Sequence, residues 1–246
     1  MSKDDKPLAE RSTASEIDAF LDKVAAMSKV RPSGQRGRLI FAMDATASRE
    51  PTWDHACHIQ GQMFEATTAL GGLEIQLCYY RGFNEFRAFP WTTRSAELLA
   101  DMSRVSCIGG HTQIAKVLRH TLDEHRRKRV DALVFVGDCM EEDPEELAAL
   151  AGELGLLGVP VFIFHEGGEP LAAHTFRQIA RLSKGAYCAF DSGSAHQLRE
   201  LLSAVAVYAA GGHKALEDYS RRHGGRLPEL LPQLLRQLPR KGKDTS

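Results

Sequence analysis

The sequence predicts an α/β fold: a Rossmann-like three-layer sandwich with a mostly parallel central sheet, one short antiparallel edge strand, and helices on both faces. Three observations carry that prediction. Apolar runs of strand length alternate with segments of helical period along most of the chain. Several of those runs are apolar at consecutive positions, as in Leu39-Ile40-Phe41-Ala42-Met43, which suits strands covered on both faces. The chain has 246 residues, 43% of them hydrophobic, enough for one sizeable core. Right-handed crossovers then leave few topologies to consider.

The elements follow in order. Residues 1–13 are charged and polar and are expected to be disordered. Behind Ser15, a suitable N-cap, Ile17, Phe20, Leu21, Val24 and Met27 recur at helical spacing, so 14–29 is expected to be a helix packing on the domain. Arg31-Pro32-Ser33-Gly34 breaks it, and the domain proper is expected over 30–212. A strand over 39–43 ends at Asp44. A helix is expected over 52–70, closed by Gly71-Gly72, and a second strand over 73–80. Residues 84–89 read as the edge strand, closed by Pro90. Ser95 is expected to cap a helix through Met102.

The loop Cys107-Ile108-Gly109-Gly110-His111-Thr112 leads into a helix from Gln113 to Arg127, with Ile114, Val117, Leu118 and Leu122 on one side. A strand over 131–136 ends at Gly137-Asp138. Asp143-Pro144-Glu145-Glu146 combines an N-cap, a proline at N1 and a glutamate at N3, and starts a helix running to Leu157. Strands are expected over 159–164 and 186–190, and helices over 176–182 and 195–210. After Gly211-Gly212 a tail, 213–246, carries a Gly224-Gly225 break and an amphipathic segment over 227–238.

Thirty-one basic and 32 acidic side chains leave a formal charge of -1, which gives no global attraction to nucleic acid or to an anionic membrane. The longest uncharged apolar run, 201–212, is shorter than the ~20 residues a membrane span needs. The five cysteines (Cys57, Cys78, Cys107, Cys139 and Cys188) are odd in number and widely spaced, as reduced, packed thiols are. With no apolar signal core near Met1, a cytoplasmic location is expected.

Ligands of open α/β sheets sit at the carboxyl ends of strands where the strand order reverses. Asp44 and Asp138 are expected at two such ends, Thr46 and Ser48 follow Asp44, and Thr112 stands in the Gly-rich loop. Two carboxylates with three neutral hydroxyls suit a hard cation, Mg²⁺ or Mn²⁺, better than a histidine or thiolate cluster would. So few negative charges leave the cation electrophilic and able to accept a carboxylate from a protein partner.

Asp44-Ala45-Thr46-Ala47-Ser48, then Thr112, then Asp138 after an apolar strand resembles the metal-ion-dependent adhesion site (MIDAS) of von Willebrand factor A (VWA) domains. The likeness runs from about Arg38 to Gly212. Thr46 replaces the serine of the family's Asp-x-Ser-x-Ser motif, keeping the hydroxyl and adding a methyl group. The resemblance implies that Thr46, Ser48 and Thr112 ligate directly, and that Asp44 and Asp138 act largely through bound water. It further implies a non-enzymatic interaction module working beside ATPase or chaperone machinery.

An enzymatic alternative is a haloacid-dehalogenase-like phosphatase, with Asp44 as nucleophile, Lys116 as its cationic support and Val136–Asp143 resembling the last acidic motif. Such an enzyme needs an acid two residues beyond the nucleophile to protonate the leaving group, and Thr46 stands there. His55, Cys57 and His58 lack further ligands for zinc and read as a solvated helix face. His111 reads as a loop residue, and Cys139 as a small packing residue with no cation to activate it. The run His125-Arg126-Arg127-Lys128-Arg129 ends a helix where cations complement the dipole, and no aromatic platform accompanies it. The tail around Leu227–Leu235 suits docking on a partner or on the domain itself, and tail binding over 221–243 with a vestigial site is the second interaction reading.

Overall fold

Eight consecutive buried residues form the first strand, β1 (Gly37–Asp44). Leu39, Phe41 and Met43 alternate with Ile40 and Ala42 across the sheet, and all five are at most 1% exposed, so both faces of β1 are covered. Strands β2 (Leu73–Arg81), β3 (Glu85–Ala88), β4 (Ala132–Gly137), β5 (Val161–Glu166) and β6 (Ala186–Phe190) complete one sheet in the order β3-β2-β1-β4-β5-β6. All pairings are parallel except β2 with β3, joined by the turn at Gly82, where φ is +59°. The expected antiparallel edge strand is therefore present. The computed structural model describes residues 36–50 and 73–190, together with Val205 and Ala209.

The helices are α1 (Ser95–Met102), α2 (Ile114–Arg127), α3 (Pro144–Leu157) and α4 (Pro170–Leu182). Helices α2, α3 and α4 share one core: Ile114, Val117, Leu118 and Leu122 pack with Leu147, Ala151, Leu154, Phe176 and Ile179 over Ile40, Ala42, Tyr80, Phe135 and Ile163 of the sheet. Helix α3 starts as expected, with Asp143 accepting from Glu145 N–H (3.0 Å) and Pro144 at N1, and closes on Gly158 in the left-handed conformation (φ 71°).

Some boundaries differ from expectation. Helix α4 begins at Pro170, six residues before the expected 176, because the Glu169 side chain accepts from Leu171 N–H (3.0 Å) and Ala172 N–H. Strand β5 starts two residues later and runs two residues further than 159–164, bringing His165 and Glu166 to its carboxyl end. Asp131 precedes β4 and accepts from the Arg38 N–H (2.9 Å). Ser95 is the first residue of α1 and Arg94 is its N-cap, so the expected Ser95 cap is displaced by one position. Gln113 likewise occupies the N-cap position of α2, outside the helix, with no capping bond from its side chain.

Val205 and Ala209, one turn apart, are helical and fully buried, two points on the expected 195–210 helix. The expected segments 1–13, 14–29, 52–70 (with His55, Cys57 and His58) and 213–246 lie outside the described residues. No described helix is long and apolar enough to cross a membrane.

Candidate functional site

Strand order reverses between β1 and β4: β1, β2 and β3 run one way across the sheet, and β4, β5 and β6 run the other. Asp44 is the last residue of β1, and Asp138 directly follows Gly137, the last residue of β4. The two strands are paired up to Met43 and Val136, and a Cβ built on Gly137 would lie 3.6 Å from the Asp44 Cβ. Both carboxylates thus flank the crevice where ligands of such sheets bind.

Asp44 is fully buried. Its Oδ1 accepts from the Thr46 N–H (2.7 Å) and its Oδ2 from the Tyr80 hydroxyl (3.0 Å). Burial pushes its pKa up to about 6, with Asp138 adding to the rise and the hydrogen bonds from Thr46 and Tyr80 opposing it. Thr46 Oγ1 and Ser48 Oγ lie 3.1 Å apart, so the two hydroxyls share one spot beside Asp44. Among the described residues no side chain or backbone group donates to the buried Oδ1 of Asp138. A buried carboxylate oxygen lacking a donor is stabilised by a cation.

Thr112 arrives on its own loop. That loop is fastened to the end of β1 by Ile108 N–H donating to Ala45 O (3.0 Å), and to the β2–β3 turn by His111 N–H donating to Gly82 O (3.1 Å). A Cβ on Gly110 would lie 2.0 Å from the Gly82 carbonyl oxygen, so only glycine allows this approach. The Thr112 hydroxyl accepts from Glu141 N–H (3.0 Å), while the Glu141 carboxylate accepts from Thr112 N–H (3.1 Å) and contacts His111 Nδ1 (3.0 Å). Glu142 accepts from Ile114 N–H (2.6 Å) and Ala115 N–H (2.8 Å), supplying the cap that Gln113 lacks. Thr112 and Asp138 therefore belong to loops that hold each other.

Two further residues here leave no pattern in the sequence. His165, fully buried on β5, contacts the Asp138 carbonyl oxygen through Nε2 (3.2 Å) and the Tyr187 hydroxyl through Nδ1 (2.8 Å). Burial pushes its pKa down, so the ring is neutral. A carbonyl oxygen only accepts, so Nε2 carries the proton and Nδ1 accepts from Tyr187. Arg49, in the 3₁₀ turn Ala47–Arg49, is 1% exposed and ion-pairs with Glu166. No periodicity signals it; a buried arginine becomes visible only once the strand ends are placed side by side.

The rival elements behave differently. Lys116 Nζ donates to Gln113 Oε1 (2.8 Å) and Asn84 O (3.2 Å), fastening α2 to the β2–β3 turn. Arg126 pairs with Asp123 and Glu153, Arg127 with Glu124, Lys128 with Glu74 and Arg129 with Asp131, so each of these cations has an acidic partner. Cys78 and Cys188 are buried thiols, Cys107 and Cys139 are partly buried, and burial pushes the Cys139 pKa up.

No protein-family model and no curated protein sequence matches the chain. Solved structures do. The SpRpn10 VWA domain is similar with a TM-score of 0.55 and 14% identity, covering 70% of this chain and 94% of that domain. Proximal thread matrix protein 1 of the mussel byssus, in a structure with a zinc-occupied MIDAS motif, is similar with a TM-score of 0.54 and 16% identity, covering 70% of this chain and 45% of that one. This chain has the VWA fold. The PilB minor pilin of Streptococcus sanguinis is also similar, with a TM-score of 0.55 and 9% identity over 79% of this chain and 64% of the pilin. In this VWA fold the switch point between β1 and β4 is where Asp44 and Asp138 meet.

Proposed function

We propose that this VWA-fold protein is a non-enzymatic interaction module in which Asp44, Thr46, Ser48, Thr112 and Asp138 hold Mg²⁺ or Mn²⁺. A carboxylate from a protein partner completes the cation's shell. The observation that carries this reading is the buried Asp138 Oδ1 without a donor, beside a second buried carboxylate and a pair of facing hydroxyls. Oxygen donors of this kind, mostly neutral, suit a hard divalent cation. When bound, the cation supplies an electrophilic position for an incoming anion.

The protein's own residues do the rest. Tyr80 and the Thr46 N–H orient Asp44, the Thr46 and Ser48 hydroxyls lie beside it, and the Glu141 N–H fixes the Thr112 hydroxyl. His165 holds the Asp138 backbone from behind. Hydrolysis is disfavoured because the Thr46 hydroxyl is too weak an acid to protonate a leaving group and Lys116 is engaged by Gln113 and Asn84. We place the module in the cytoplasm, where its thiols stay reduced, in an assembly linked to ATPase or chaperone machinery; the family resemblance alone supports that link.

Affinity capture with the full chain tests the proposal. Partner capture in Mg²⁺ should be lost on adding EDTA and equally lost in Asp44→Ala. Capture that survives both changes contradicts a metal-bridged contact.

A further inference from the structure

Arg49 is the largest fully buried side chain among the described residues, and it leaves the chain one position after Ser48. Its guanidinium ion-pairs with Glu166, the last residue of β5. Between the two stands β4: Met43 of β1 pairs with Val136, and Gly137 of β4 pairs with His165 of β5. Two strand spacings amount to ~10 Å. An arginine that starts beyond β1 and ends on β5 therefore crosses the carboxyl end of β4, where Asp138 stands. Consistent with that path, Asp138 and Asp44 are the strongest attractions on the guanidinium, opposing the burial that disfavours its charge.

We infer that Arg49 and Glu166 form a charge latch across the site that sets how tightly it holds a divalent cation. The inference rests on the cation-site reading above. The guanidinium is a resident positive charge next to the two carboxylates that the cation needs, so it competes with the cation. Glu166 anchors that charge on β5, drawing it away from Asp138. Three carboxylates (Asp44, Asp138 and Glu166) against one guanidinium leave two negative charges when all are ionised, the complement of one divalent cation. Without Glu166 the guanidinium settles on Asp138 and the balance falls to one.

Substitutions at the two positions should move affinity in opposite directions. In Mn²⁺ titrations of the full chain followed by electron paramagnetic resonance, Arg49→Met should bind about 10-fold more tightly than wild type, the scale of one unit charge removed at short range. Glu166→Gln should bind about 10-fold more weakly, and Arg49→Lys, which keeps the charge, should stay within a few-fold of wild type. Equal affinity in Arg49→Met and wild type, or unchanged affinity in Glu166→Gln, overturns the latch.

Thermal unfolding in EDTA provides a readout without metal. Arg49→Met should lower the midpoint, and adding Glu166→Gln should recover part of the loss; purely additive losses contradict the pairing. If wild type and every variant fail to bind Mn²⁺, the cation-site reading fails and the tuning role fails with it, while coupling in EDTA still shows the pair to be structural. Binding by Arg49→Met alone supports the latch and makes Arg49 the occupant that excludes the metal.

Discussion

Asp44 carries an electrostatic consequence that reaches the stability of the fold. Its carboxyl, which ordinarily ionises near pH 4, has its pKa raised to about 6 by burial, so the folded chain binds this proton more tightly than the unfolded chain does. Metal-free stability should therefore be fully retained below about pH 4, fall as pH rises to about 6, and level off above it, at a cost of about 3 kcal/mol. Denaturant titrations in EDTA between pH 4 and 7 should show that slope in wild type and not in Asp44→Asn. Identical slopes in the two would mean that Asp44 is not the buried acid described. The positions of Asp44 and Asp138 were legible in the sequence because both follow apolar runs that end as strands, while Thr112 was marked only by its glycine-rich loop. Arg49 and His165 were not legible. An arginine after a serine gives no pattern, and the histidine's role depends on Tyr187, which only strand pairing brings near.

At the scale of elements, the loops are fastened by polar contacts between distant segments. Glu142 caps α2 from 28 residues away, accepting from two of its first amides. Glu142→Ala should cost about 1–2 kcal/mol in urea denaturation, as loss of a charged cap does. An unchanged midpoint would show the contact to be energetically idle. Gly110→Ala places a methyl group 2.0 Å from the Gly82 carbonyl, so the loop must lift. Its expected outcome is a Mn²⁺ affinity lowered several-fold with the α2 amides still protected in hydrogen exchange; retained affinity would separate Thr112 from the site. The sequence showed α3 because aspartate followed by proline is a strong helix start. It hid the first two turns of α4, where the same device uses Glu169, a residue seldom read as an N-cap. The end of β5 was hidden as well, since His165 and Glu166 interrupt an apolar run while remaining in the ladder.

At the scale of the whole molecule, alternation of apolar runs and helical segments was enough to give the layered α/β architecture, and the short 84–89 run closed by Pro90 marked the edge strand. Strand order was not legible, because parallel partners are chosen by packing of whole layers and leave no local mark. That order matters most for function: β1 beside β4 turns two aspartates separated by 93 intervening residues into neighbours. This junction is where we propose that a divalent cation is held. Titration of the full chain with Mn²⁺, followed by water-proton relaxation, tests it directly. One tightly held ion per wild-type chain, lost in Asp138→Asn and in Thr46→Val while the fold is kept, is the predicted result. No binding, or binding that both variants retain, would contradict it.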